Sequence, residues 1–333
     1  MKKVIFALAA VVALAACSKE QTVVADRGDA IGFDSFIENA TRAAADDFTS
    51  VDSFKVWGDV TGNIDDSSDD YIFLYNGASV TKGDNAYGEA WTCEKTDYWL
   101  PSATYNFMAI AGISGETTVT PASGAFPTKI TYEANGSTDL LLSEYVTVET
   151  DRTAMPTTGV IVDKNDNNNK CVPFTFKHLL SKVYFKFTNT SANSLCTYEI
   201  SDIKISGAKA EGTYSITDSK WTSVSGTAAA LNFGTTGTTA IAQNGEATSD
   251  FARLLLPGEN QTLTVTFKQK FFFNGQLMSE TPDDQPITKP LTATFAPNGA
   301  YVINVNLQAG SPITFTLNKL EGWGDADPII TIK

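Results

Sequence analysis

The sequence predicts an all-β fold in which two β-sandwich domains follow one another along the chain. Short runs rich in Thr, Val, Ile and aromatic residues alternate between apolar and polar positions, as half-buried strands do. Gly, Asn, Asp, Ser and Pro separate these runs, and almost nothing resembles a long amphipathic helix; a short turn at 177–182 is the best candidate. The length of 333 residues suggests two domains, at about 150 residues per domain.

The predicted strands begin with an apolar segment at residues 31–37, whose first half alternates. A polar, alanine-rich linker follows at 38–47. The clearer strands of the body lie at 54–57, 71–75, 105–110, 140–142, 183–187, 198–205, 263–267, 301–307, 313–317 and 329–332. Asn298-Gly299 is a strong hairpin signal, so we expect the runs 291–295 and 301–307 to pair with each other.

A polar run at residues 163–169, near the midpoint of the chain, marks the predicted domain boundary. It divides the body into an N-terminal sandwich at 43–169 and a C-terminal sandwich at 170–333. The sequence has no short-period repeat, which argues against a propeller or a solenoid. The run alternates as a calcium loop does, but Asn168 and Phe174 occupy the positions of the glycine and the bidentate glutamate. A solvated linker is therefore the better interpretation.

The first residues have the pattern of a bacterial lipoprotein signal at 1–17. Two lysines precede an apolar stretch at 4–13, which is too short to span a bilayer of about 30 Å. Leu-Ala-Ala-Cys at 14–17 then forms a lipobox, in which the thiol of Cys17 accepts the diacylglycerol. An ordinary signal peptide or a buried strand is the alternative. Several acyl chains on one cysteine hold a protein on a membrane far better than one does, so we expect a membrane-anchored body outside the cytoplasm.

The charge balance and the cysteine count exclude several functions. The chain carries 24 basic and 38 acidic residues, for a net charge of −14, and its lysines and arginines do not cluster. Such a polyanion has no electrostatic route to nucleic acid. With one histidine and no C-x-x-C spacing among Cys93, Cys171 and Cys196, no metal site is predicted. At most one disulfide can form among these three cysteines.

The sequence offers no set of residues for an enzyme. It contains no Walker A, G-x-G-x-x-G or G-x-S-x-G motif, and two S-x-x-K matches lack their companion motifs. His178 is flanked by apolar residues, which favours a buried histidine bonded to backbone over a catalytic one. We therefore expect no catalytic residue, no metal and no cofactor.

An arginine in the linker suggests a processing site. Arg42 lies between the apolar segment 31–37 and the first strand of the body, in the kind of exposed linker that proteases cut. If Ile31 and Phe33 belong to a strand of the first sandwich, cleavage after Arg42 would sever that strand and the lipid anchor from the body. The loss would open an apolar groove and an unpaired sheet edge, and such edges recruit another strand.

The C-terminal segment 328–333 is the candidate for that second strand. Insertion of Ile329, Ile330 and Ile332 into a neighbour's groove would bury each side chain with a gain of roughly 1.5–3 kcal/mol. Repetition of this head-to-tail contact does not close, so it builds a filament. The alternative from the residues alone is that 18–50 is a spacer and that 329–332 is an ordinary last strand.

The chain also carries a set of short motifs whose order and spacing are fairly specific. They are Ala40-Thr41-Arg42-Ala43, Tyr98-Trp99-Leu100-Pro101, the run from Phe174 to Val183, Leu254-Leu255-Leu256-Pro257 and Asn298-Gly299-Ala300-Tyr301. With the lipobox, this set resembles the fimbrillin family of Bacteroidales, the type V pilins. The resemblance covers nearly the whole chain.

The resemblance implies two transthyretin-like, Greek-key β-sandwich domains. It also implies export to the outer membrane as a lipoprotein, cleavage by an arginine-specific protease, and assembly with other pilin subunits by strand exchange into a cell-surface fimbria. Carried over by position, Cys17 is the lipidation site, Arg42-Ala43 is the processed bond and 18–42 is the propeptide with its leading strand.

The family also includes roles in which this chain would not polymerise. Shaft, tip and anchor subunits all belong to it, and no motif here selects one role. The alternative is therefore a surface lipoprotein that does not polymerise, either a pilus anchor or an adhesin for glycans or host proteins. In an adhesin, Trp91 or Trp221 would stack on sugars, unless these side chains belong to the core.

Overall fold

The computed structural model describes residues 30–37, 51–63, 69–85, 88–113, 115, 117–121, 123–150, 161–162, 170–320 and 323. Throughout these ranges the backbone forms strands joined by turns and bends, without a helix. The predicted all-β class, built from β-sandwiches, is confirmed. Among the same residues no helix is long and apolar enough to cross a membrane.

The strands between residues 31 and 178 mostly extend beyond the alternating runs that predict them, because ladder pairing carries a strand through polar positions as well. They are β1 (Ile31–Ile37), β2 (Ser53–Asn63), β3 (Asp69–Asn85), β4 (Gly88–Cys93), β5 (Ala103–Ala111), β6 (Thr118–Thr120), β7 (Lys129–Glu133), β8 (Leu141–Ser143), β9 (Val146–Glu149), β10 (Ile161–Val162) and β11 (Lys170–His178).

The strands after residue 180 show the alternation clearly. In β12, Val183, Phe185 and Phe187 are buried and the residues between them are half-buried. These strands are β12 (Ser181–Asn189), β13 (Cys196–Ser206), β14 (Glu211–Ser215), β15 (Lys220–Ser225), β16 (Leu231–Gly234), β17 (Glu246–Thr248), β18 (Arg253–Leu255), β19 (Gly258–Phe273), β20 (Gln276–Glu280), β21 (Ile287–Phe295), β22 (Gly299–Leu307) and β23 (Thr314–Leu320).

The described strands form four sheets. The first has the order β1-β11-β8-β5-β2-β3-β4, with β10 beside β11 and β9 beside β5. The second is β17-β12-β22-β23 with β18 beside β12, the third is β16-β13-β19-β20 with β21 beside β19, and the fourth is β15-β14-β7-β6. In the second sheet β12 and β22 run parallel, whereas β17, β18 and β23 are antiparallel to their neighbours.

The chain divides into two compact units. Of the described residues, the first contains those at 30–36, 52–109 and 144–174, and the second those at 37, 51, 110–143 and 175–323. The predicted boundary run at 163–169 lies outside the described residues. The division differs from the predicted domains 43–169 and 170–333 because the second unit includes β7, which pairs with β14 along its whole length.

In the second unit, two sheets face each other across an aromatic core. Phe185 of β12 meets Phe233 of β16 edge-on, with ring centroids 4.9 Å apart. Phe187 meets Phe267 of β19 in the same way, at 5.3 Å. Such edge-to-face pairs add about 0.5–1.5 kcal/mol each beyond the burial of area. The core of this unit therefore lies between the second and third sheets.

The predicted hairpin around Asn298-Gly299 is wrong. β21 pairs with β19, whereas β22 pairs with β12 and β23, so the turn connects two different sheets. Asn298 does adopt the left-handed conformation that this turn favours, with a φ of 53°. Its N–H donates to the carbonyl oxygen of Leu180 at 3.1 Å. The residues of the turn determine its backbone conformation, but strands that are distant in the sequence determine how β21 and β22 pair.

The helical turn expected at 177–182 is replaced by a strand-to-strand connection. β11 continues to His178 and β12 begins at Ser181, so Leu179 and Leu180 join two strands. Both leucines are buried. The consecutive apolar residues that suggested a helix are therefore explained by burial at this connection.

Gly112, directly after β5, provides a test of packing in the second unit. It has a φ of 79°, and an added Cβ would lie 1.7 Å from the carbonyl oxygen of Asp139. We expect Gly112→Ala to lower the free energy of unfolding by more than about 3 kcal/mol, because two backbone segments would have to separate. Denaturant titration measures the loss.

Gly237→Ala is the matched control for this substitution. Gly237 has the same φ of 79°, but no atom lies within 4 Å of its added Cβ. The control should lose only about 1–2 kcal/mol, the conformational penalty of the left-handed region. Equal losses for the two variants would contradict the packing described here.

Candidate functional site

Strand β1 carries the two predicted site residues that the structure describes. Ile31 and Phe33 occupy alternate positions of β1, so both side chains point to the same face. Ile31 is 4% exposed and Phe33 is 3% exposed. The segment before the linker is therefore a packed strand of the first unit.

The ring of Phe33 sits among three other aromatic rings of the first unit. Its centroid lies 5.3 Å from that of Tyr75 and 5.9 Å from that of Phe107, both edge-on. It stacks against Phe174 at 5.8 Å. Burial also raises the pKa of the Tyr75 hydroxyl far above its ordinary value, as expected of a group removed from water. These rings form the walls of a groove that β1 fills.

The backbone of β1 is held on both sides. β11 is its neighbour in the first sheet. On the other side the N–H of Ile31 donates to the carbonyl oxygen of Asp97 at 2.8 Å, and Ala30 bridges to Tyr98. Gly32 lies so close to β11 that an added Cβ would be 2.7 Å from Sγ of Cys171. Backbone hydrogen bonds and the close approach at Gly32 therefore hold β1 in place, in addition to the burial of its apolar side chains.

This arrangement can exchange one strand for another without covalent chemistry. If β1 left, the rings of Tyr75, Phe107 and Phe174 would lose their cover, and β11 would lose a ladder partner. An edge with open donors and acceptors beside an apolar groove is the geometry that binds an extended peptide. What the site recognises is a β-strand with apolar residues at alternate positions.

All six of the other predicted site residues lie outside the described part of the chain. These are Cys17, Arg42, Ala43, Ile329, Ile330 and Ile332. The structure thus brings together Ile31 and Phe33, with the three aromatic rings around them. Sequence reasoning missed Tyr75, Phe107 and Phe174 as groove residues, although Tyr75 and Phe107 lie in runs that predict strands.

His178 is buried as expected, but its partner is not the backbone. Its Nδ1 lies 2.5 Å from Oδ2 of Asp139, and the imidazole is 1% exposed. Asp139 comes close because the N–H of Leu179 donates to the carbonyl oxygen of Leu140 at 2.9 Å. Burial raises the pKa of the Asp139 carboxyl above its ordinary value, and the hydrogen bond from His178 opposes that rise. The expected backbone partner was wrong because a carboxylate occupies this position.

The cysteines and the acidic side chains form no metal site in the part of the chain that the structure describes. Cys93, Cys171 and Cys196 form no disulfide with one another. No three His, Cys, Asp or Glu side chains of the described residues lie together as ligands would.

Both tryptophans considered as sugar-stacking residues pack against other aromatic rings. Trp91 lies against Phe54, with centroids 5.1 Å apart. Trp221 meets Tyr214 edge-on at 5.5 Å, and its Nε1 donates to the carbonyl oxygen of Leu179 at 2.9 Å. Trp221 also lines a cleft of about 460 Å³ beside β15.

The β19–β20 hairpin carries a cluster of exposed apolar side chains, the hairpin tip. Phe273, Leu277 and Met278 are 37%, 50% and 58% exposed. All residues of β20 are exposed, and β20 ends the order of the third sheet as described. A cluster of exposed apolar groups on a sheet edge is a candidate contact surface.

Phe33→Ala tests whether β1 is part of the packed first unit. We expect the unprocessed full-length chain to lose about 3–5 kcal/mol of unfolding free energy, because the truncation leaves a cavity between three rings. Phe273→Ala removes the same atoms from an exposed site and should cost less than about 1 kcal/mol. Denaturant unfolding followed by tryptophan fluorescence measures both, and a Phe33 loss no larger than the control would contradict the packing of β1.

Comparisons with known proteins agree with this architecture. Residues 41–323 match the family model described as fimbrillin-like. A fimbrial protein from Bacteroides vulgatus superposes with a TM-score of 0.52 at 13% identity, over 88% of this chain and 99% of that one. A candidate cell adhesion protein from Bacteroides ovatus gives 0.51 at 17% identity, over 90% and 99%. At these identities the likeness concerns the fold alone. No curated protein matches the sequence.

Proposed function

Because the chain belongs to the fimbrillin-like family, we propose that it is a structural subunit of a cell-surface fimbria that assembles by exchange of β-strands. The observation that carries this proposal is β1, a strand packed into an aromatic groove and followed by the linker that contains Arg42. The proposed role needs no catalytic residue and no cofactor.

In the first step the precursor is exported and held at the outer membrane. The lipobox ending at Cys17 supports this step, since its thiol is the group that accepts the lipid. While the chain is intact, β1 fills its own groove. The anchored subunit is then a closed monomer with no open edge at this position.

In the second step an arginine-specific protease cuts between Arg42 and Ala43. The cut breaks the covalent link between β1 and the rest of the first unit. A strand that is no longer tethered is lost more readily, because its return is then a bimolecular event. Its departure uncovers the groove formed by Tyr75, Phe107 and Phe174 and frees the subunit from its lipid.

In the third step the C-terminal segment of another pilin subunit fills the groove. Ile330 and Ile332 are spaced as Ile31 and Phe33 are, two residues apart, so both can face the groove from one side of a strand. Each buried isoleucine contributes roughly 1.5–3 kcal/mol. The donor and acceptor surfaces differ, so the contact repeats without closing and yields a filament.

A second candidate is a surface lipoprotein that keeps its anchor and does not polymerise, either a pilus anchor or an adhesin for glycans or host proteins. The hairpin tip favours an adhesive contact, since Leu277 and Met278 are apolar side chains that are half or more exposed. In this case β1 stays in place and the chain acts as a monomer.

Immunogold electron microscopy of cells that express the chain tests the proposal. An antibody against the second unit should label filaments that extend from the surface, and cells lacking the gene should show neither label nor those filaments. Label confined to the outer membrane, with no filament, would overturn the polymerising role in favour of the second candidate.

A further inference from the structure

We propose that His178, Asp139 and Lys182 form a docking site for Trp323 that fixes the point where the C-terminal segment 324–333 leaves the second unit. The inference rests on the proposed function, because that segment contains the proposed donor strand. His178, Asp139, Lys182 and Trp323 are together called the tail clamp below.

The side chain of Trp323 is held by ring stacking. The centroids of the His178 and Trp323 rings are 3.5 Å apart, and the ring planes differ by 5°. His178 is 1% exposed and Trp323 is 3% exposed, although Trp323 lies beyond the last described strand. An aromatic residue placed outside the sheets and still buried this completely is anchored rather than loosely covered.

The imidazole that receives Trp323 is itself fixed. The 2.5 Å contact between His178 Nδ1 and Asp139 Oδ2 sets the plane of the ring. His178 is the last residue of β11 and pairs with Leu141 of β8. Asp139 lies two residues before β8, next to Leu140, whose carbonyl oxygen accepts from the N–H of Leu179. Backbone pairing therefore holds both residues in place. Trp323 therefore meets a ring whose orientation does not depend on its arrival.

Lys182 holds the main chain of the same residue. Its Nζ donates to the carbonyl oxygen of Trp323 at 3.1 Å, and the lysine is 5% exposed. A buried charged group is rarely the most stable way to fill space, and apolar replacements are often as stable or more so. A buried ammonium that bonds a backbone carbonyl instead fixes position, because it recognises a peptide group and not merely an apolar surface.

The clamp defines where the donor segment starts. β23 ends at Leu320, Trp323 is fixed again, and ten residues remain. Fully extended, these reach at most about 33–36 Å. A fixed origin confines the segment to a smaller volume around Trp323, so a neighbouring groove within reach meets it at a higher effective concentration. Without the clamp, the last fixed point before the donor segment would be the end of β23 at Leu320.

The first experiment measures docking in the unprocessed full-length chain, where assembly plays no part. Hydrogen exchange is followed in the peptide 314–323 for the parent chain and for Trp323→Ala, Trp323→Phe and Lys182→Met. We expect Trp323→Ala and Lys182→Met to lose protection after Leu320, and Trp323→Phe, which keeps a stacking ring, to retain most of it. Trp91→Ala, in the first unit, is the control and should leave this peptide unchanged. Unaltered protection in Trp323→Ala would overturn the docking site.

The second experiment measures assembly of the protease-treated chain by light scattering. Trp323→Ala should assemble about tenfold more slowly or worse, and Trp323→Phe should approach the parent rate. Because removal of a buried indole also lowers the stability of the second unit, the rates are compared at a temperature at which thermal unfolding shows every variant to be folded. Equal rates for Trp323→Ala and the parent would overturn the positioning role and leave the proposed function standing. Failure of the parent itself to assemble would instead contradict the proposed function, while the exchange data would still decide whether the clamp exists.

Discussion

Arg42→Ala is expected to leave a lipidated, monomeric protein on the cell that forms no fibres. Without the arginine the linker has no bond for an arginine-specific protease, so β1 stays covalently attached and continues to fill the groove of Tyr75, Phe107 and Phe174. A tethered strand competes with an incoming donor at a very high effective concentration. Fibre yield should therefore fall to background, as measured by electron microscopy and by the size of surface-extracted protein.

Arg152→Ala is the control for this experiment. Arg152 is another of the four arginines of the chain but lies outside the linker 38–47, so its loss should not prevent release of β1. Cells with this variant should make fibres at the parent level. Abundant fibres from Arg42→Ala would contradict cleavage at Arg42 as the trigger.

Ile330→Asp is expected to abolish assembly while leaving processing intact. The substitution places a carboxylate at a position that the proposed exchange buries among aromatic rings, and an unpaired buried charge costs several kcal/mol. A loss of about 3–5 kcal/mol corresponds to a decrease of roughly 100-fold or more in the affinity of each contact. Protease-treated Ile330→Asp should remain monomeric in sedimentation at concentrations where the parent chain polymerises.

Thr331→Asp is the matched control, because it adds the same charge to the same segment. Residue 331 alternates with Ile330 and Ile332, so its side chain points away from the groove in an extended strand. This variant should polymerise within a few-fold of the parent. Equal loss in both variants would indicate a general effect of charge and would contradict the alternating register of the donor.

The alternation of residues 31–37 is sufficient to predict β1, and the β-rich runs are sufficient to predict the all-β class. Both signals are local, since side chains on successive residues of a strand face opposite ways. The hairpin at Asn298-Gly299 failed for the converse reason. A turn motif sets the backbone over a few residues, whereas the partner of β22 is β12, far away in the sequence.

The candidate site, like the fold, could be predicted only in part from the sequence. Ile31 and Phe33 follow from their own alternation, but the rings that receive Phe33 come from β3, β5 and β11. No pattern in a single sequence predicts that those three strands lie close together. The tail clamp is more remote still, since Lys182 and Trp323 are 141 residues apart. The lone histidine in an apolar run indicated burial, but its carboxylate partner and its stacked indole required the fold.

The most direct test is the intact mass and the N-terminal sequence of the protein recovered from fibres sheared off the native cell surface. We predict a chain that begins at Ala43 and carries no lipid, with β1 left behind. Fibres in which every molecule keeps an acylated Cys17 would contradict strand exchange triggered by cleavage, because the groove in each subunit would still hold its own β1.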